Sequence, residues 1–131
     1  MANAIYPKFK EALLNGEINL ATDNIVAYAV DLNDSPLTYA YDASHVTLTD
    51  LENSPTAIVA VTGNLASKTI TDGVFDSADP VLPSVTGDQF EGVVLYDSTS
   101  DNLIAFYDGL SQTPSGNNIT INVNASGWFA L

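Results

Sequence analysis

Two apolar runs, residues 90–96 and 103–107, flank a polar turn of Asp, Ser, Thr and Asn at 97–102, and this is the feature that most restricts the fold. Two β-rich runs around such a turn read as a hairpin. In the first arm Val94 and Tyr96 fall on one face, and Val93 and Leu95 on the other. In the second, Leu103, Ala105 and Tyr107 oppose Ile104 and Phe106. Both faces are apolar, so the hairpin must be covered from two sides, by a second sheet, a helix or a neighbouring subunit.

The rest of the chain supplies short strands and one helix. Residues 5–16 read as the helix: Pro7 suits its first position, Phe9, Ala12 and Leu13 make an apolar stripe, and Asn15 and Gly16 stop it. Residues 25–31 and 56–61 read as strands, and Asp72 and Gly73 as a hairpin turn or bulge within 69–75. Ile119, Ile121 and Val123 alternate with Thr120, Asn122 and Asn124, which predicts a strand with one wet face; an apolar strand follows at 127–131. Residues 33–55 form a long polar loop in which Tyr39, Tyr41, His45, Val46 and Leu48 make short strands or one turn of helix. The expected fold is a single mainly β domain over 1–131. It is a β-sandwich or jelly-roll-like barrel of about seven or eight short strands, with an arm and helix at 1–16.

Charge narrows the partners. Sixteen acids face three bases, Lys8, Lys10 and Lys68, for a net charge of −13 and no arginine. Gripping phosphates needs clustered cations, so neither nucleic acid nor an anionic membrane is an expected partner. No cysteine is present to make disulfides or thiolate metal sites. The apolar run at 25–30 is too short to span a bilayer, and the first residues lack the basic and apolar regions of a cleavable signal.

Candidate chemistry is sparse. His45 is the sole histidine, and no nucleophile elbow accompanies it. Asp72, Asp76 and Asp79 share a turn-rich stretch without the spacing of an EF-hand, and read as a solvated acidic loop. No catalytic residue, metal ligand or cofactor is assigned. A partner interface is expected instead at Ile5, Tyr6, Lys8, Phe9 and Lys10, where apolar groups meet two of the three cations, and at Trp128 and Phe129.

Several segments together carry a resemblance. They are residues 1–6, Lys8 or Lys10 with Glu11 and Ala12, Leu14, residues 16–18 and 26–31, then 62–65, 68–74 and 87–89. Residues 94–96 and 103–105, with Pro114 and Gly116, complete the set. In these blocks, spread over most of the chain, it resembles a group of small tailed-bacteriophage virion proteins; residues 33–55 match least. The resemblance implies a non-enzymatic particle component, a capsid decoration (cement) protein on the outer surface of the head. Such a protein is made in the host cytoplasm, contacts the major capsid protein and self-associates, with a trimer favoured. A tail or fibre component with a receptor-binding role is the alternative.

Overall fold

The computed structural model describes residues 4–32, 42–51 and 58–131. The N-terminal three residues and most of the 33–55 loop, Tyr39 and Tyr41 included, lie outside the described residues. The architecture is mainly β, with ten strands in three antiparallel sheets and two short helices among the described residues.

The main sheet is built on the expected hairpin. Strands β1 (Ala4–Ile5), β2 (Ile25–Val30), β3 (Ile58–Val61), β7 (Gly92–Asp97) and β8 (Asn102–Tyr107) lie in the order β1-β8-β7-β2-β3. β7 is central and buried at all six positions. It pairs with β2 along its whole length, from Ile25 against Asp97 to Val30 against Gly92. Against β8 the register slips once: Leu95 faces Ala105, but Tyr96 faces Leu103. Ile104 is thus an extra residue, a β-bulge. Its carbonyl accepts the Tyr6 N–H at 3.0 Å, at the point where the chain leaves β1 for the helix.

The helix α1 (Pro7–Leu14) begins later than the sequence pattern suggests. Ala4 and Ile5 form a strand on the free edge of β8, opposite Phe106 and Ala105. Tyr6 is extended (φ −63°, ψ 128°), as a residue before proline prefers. At the other end, Gly16 (φ +75°) donates its N–H to Leu13 O and Glu17 donates to Ala12 O, a Schellman stop. The one-turn helix α2 (Leu48–Leu51) falls in the long polar stretch; Asp50 Oδ2 accepts the Val46 and Thr47 N–H groups before it.

The second sheet, in the order β10-β5-β4, joins β4 (Thr69–Thr71), β5 (Val74–Asp76) and β10 (Phe129–Ala130). Asp72 and Gly73, both at positive φ, make the two-residue loop between β4 and β5. Phe9 of α1 stands edge-on to Phe129, with ring centres 5.7 Å apart, and Phe129 lies 5.5 Å from Phe75, so this sheet closes on the helix. A third, two-stranded sheet pairs β6 (Val81–Leu82) with β9 (Ile119–Thr120).

Two expectations change. The alternating stretch 119–124 stays in a ladder only through Thr120, because β6 is two residues long. Beyond it, Ile121 N–H bonds Pro80 O and Val123 N–H bonds the Asp79 carboxylate, so the buried–exposed alternation continues without a partner strand. The two-residue strands β1 and β6, too short to carry a sequence period, bring the number among the described residues to ten where about seven or eight were expected. The two-sided hairpin is also covered within the one chain: Val93, Val94, Leu95, Leu103, Ile104 and Phe106 are all buried. Its apolar faces therefore no longer call for a second subunit.

Candidate interaction surface

The residues expected at an interface divide sharply by burial. Tyr6 and Phe9 are 0% exposed and Trp128 8%, so all three belong to the chain's own core. Lys8 and Lys10 are exposed, and Ile5 and Phe129 are half-buried. Lys8 does not stand as a bare cation, since its Nζ lies 3.1 Å from Glu11 Oε2. Trp128 is held from three sides: its N–H bonds Phe75 O, its indole N–H bonds Ser77 Oγ, and its carbonyl accepts the Tyr107 hydroxyl. Burial raises the Tyr107 hydroxyl above its ordinary titration range. Phe9 is buried because an amphipathic helix of two turns cannot stand in water alone and its apolar face docks on the nearest sheet, whereas Trp128 is fixed by its bonds to Phe75, Ser77 and Tyr107.

What the same end of the molecule does present is an apolar groove that no sequence pattern predicted. It lies between the C-terminal end of α1 and the second sheet, encloses about 260 Å³, and is lined chiefly by Leu13, Ile18, Leu20, Ile70, Phe129 and Leu131. Ile70 is 53% exposed and Leu131 60%; Leu14, beside Leu13 on the helix, is 87% exposed. Among the described residues five large apolar side chains are exposed, and two of them, Ile70 and Leu131, line the groove. Ile70 sits on β4, an edge strand of its sheet whose three residues are all exposed. Strand order and helix placement assemble this surface, and its parts are far apart in sequence.

The candidate chemical groups do not converge. His45 Nε2 lies 4.0 Å from Asp42 Oδ2, and Ser44 is next to it. The Ser44 hydroxyl, however, donates to Asp42 itself at 2.6 Å, bypassing the imidazole, so the trio lacks the nucleophile–base–orienter order of a hydrolase. The Ser44 hydroxyl and N–H hold the Asp42 carboxyl below the usual carboxylate range. The acids of 72–79 point to separate tasks: Asp72 is in the hairpin loop, Asp76 accepts Ser77 N–H, and Asp79 accepts Val123 N–H. Among the described residues no three His, Cys, Asp or Glu side chains come together to hold a metal ion, and no helix is long and apolar enough to cross a membrane.

The chain matches no family model, no curated protein and no solved structure.

Proposed function

We propose that the protein is a non-enzymatic structural component of a tailed-bacteriophage virion, a decoration protein on the outer face of the head bound to the major capsid protein. The observation that carries this reading is the exposure of Ile70 and Leu131 in one apolar groove on a chain of net charge −13. Contiguous exposed apolar groups on an acidic surface favour a protein contact, because phosphates and anionic lipid are repelled by the surrounding charge. The resemblance of its sequence blocks to small phage virion proteins supplies the particle. Acidic faces turned outward suit a shell whose interior holds packaged DNA. Self-association, as a trimer, belongs to the same reading.

The test is co-sedimentation of the purified protein with undecorated heads, followed by electron microscopy of the decorated particle. Ile70→Asp places a charge in the groove at an exposed position of an edge strand. The expected result is unchanged thermal stability with loss of binding by tenfold or more, roughly what one buried unpaired charge at a contact costs. Full binding by this variant would remove the groove from the contact. Density on the tail or a fibre, with bare heads, would replace the reading by the receptor-binding one.

A further inference from the structure

Where β2 begins and β7 ends, the fold brings two carboxyl groups together. Asp97 closes β7 opposite Ile25, and the two chains are stitched just beyond by Ser98 N–H to Asn24 O and by Asn24 N–H to Thr99 Oγ1, at 2.9 and 2.8 Å. This places Asp23 against Asp97. Asp97 is 0% exposed. Its Oδ1 accepts the Thr99 and Ser100 N–H groups, an Asx turn that shapes the hairpin loop. Its Oδ2 is buried and receives no protein donor. Asp23 uses one oxygen to accept Asn19 N–H at 3.0 Å.

Two ionised carboxylates can only accept, so neither can satisfy the other, and like charges at contact cannot both persist away from water. One proton answers both difficulties. We propose that Asp23 and Asp97 share a single proton, and that this carboxyl–carboxylate bond is a pH-sensitive latch holding the start of β2 to the β7–β8 turn. The surrounding charges fit a proton better than a cation. Lys68 Nζ already sits on Asp23 O and Asn64 Oδ1, so a metal ion would meet an ammonium group there. On the turn side, Asp101 accepts the Tyr96 hydroxyl and Leu48 N–H, and the Tyr96 ring rests on Tyr28 of β2. Asp50 and His45, on the segment that packs over this turn, interact with Val46, Thr47 and Asp42 of the same segment. Burial first, and the Asp23 carboxyl second, push Asp97 up to about 6. A raised value means that the latch is closed in acid and is lost as pH climbs through that point.

Asp97→Asn tests it, because the amide keeps the acceptor for Thr99 and Ser100 and supplies a permanent donor toward Asp23. Thermal midpoints are compared at about pH 4.5 and about pH 8 with those of wild type and of Asp88→Asn, which removes one exposed charge elsewhere. The expected result is that Asp97→Asn matches wild type in acid and melts several degrees higher at the alkaline pH, while Asp88→Asn follows wild type. The wild-type Asp97 carboxyl carbon should titrate by NMR with a midpoint near 6. Parallel profiles for the two variants, or a midpoint in the ordinary aspartate range, would overturn the proposal. So would calcium chloride raising the alkaline melting point of wild type but not of Asp97→Asn, which would put a cation between the carboxylates. Should Asp97→Asn fail to fold, the wild-type midpoint alone decides.

Discussion

Gly127 holds a position that other residues cannot take without strain. Its φ is +92°, and a Cβ there would lie 2.7 Å from Val74 Cγ1 and 2.8 Å from the Phe75 carbonyl. The close approach is what lets Trp128 N–H reach that same carbonyl. Gly127→Ala should therefore destabilise by about 2 kcal/mol or more, combining a left-handed backbone with overpacking. Chemical denaturation measures it, and a loss near zero would mean that the segment shifts freely. Asp97 is the second residue whose setting has a measurable sign. Its value rises from 3.8 to about 6, so its contribution to stability is complete below 3.8 and gone above about 6. The span corresponds to at most ~3 kcal/mol, so the pH-stability curve should fall between these points by a readable amount.

At the scale of elements, α1 is a structural wedge between the sheets. Phe9 is wholly buried against Phe129, and β1 and Tyr6 are bonded to β8 on the other side. Phe9→Ala should cost about 3–5 kcal/mol, the range for emptying a buried aromatic site. Removal of residues 1–10 should leave a chain that does not fold, by circular dichroism and thermal melting. The lysines on the same helix predict the opposite. Lys8→Gln with Lys10→Gln should change stability by less than about 1 kcal/mol, since an exposed pair such as Lys8–Glu11 contributes little. A folded truncated chain would show that β8 and the second sheet close without the wedge.

For the whole molecule, net charge sets the expected behaviour in solution. Sixteen acids against three bases repel one another across a small surface, so added salt should raise the melting temperature as screening shortens the range of that repulsion. The same field should prevent DNA binding, most of all at low ionic strength, and a micromolar gel shift there would contradict it. The groove beside α1 is the place where apolar contact can outweigh this repulsion for a protein partner, which is why attachment is proposed there.

Much of the fold was legible because its signals are local. The β7–β8 hairpin follows from two continuous apolar runs and a turn whose Asp97, Asp101 and Asn102 side chains suit it; Pro7 and Gly16 bound the helix by their own backbone limits. Such preferences act over a few residues and need no knowledge of the rest of the chain. The sequence could not say that Ala4 and Ile5 are a strand, because two residues carry no period and only the open edge of β8 makes them one. Nor could it tell core from interface for Tyr6, Phe9 and Trp128, since apolar character is the same for both and burial depends on what lies opposite. The groove joins α1 to β4 and β10, and the Asp23–Asp97 pair forms where chains 75 residues apart are stitched together. Local chemistry determined the strands, the turns and the charge; the packing of distant strands decided which side chains became a surface and which carboxylate lost its water.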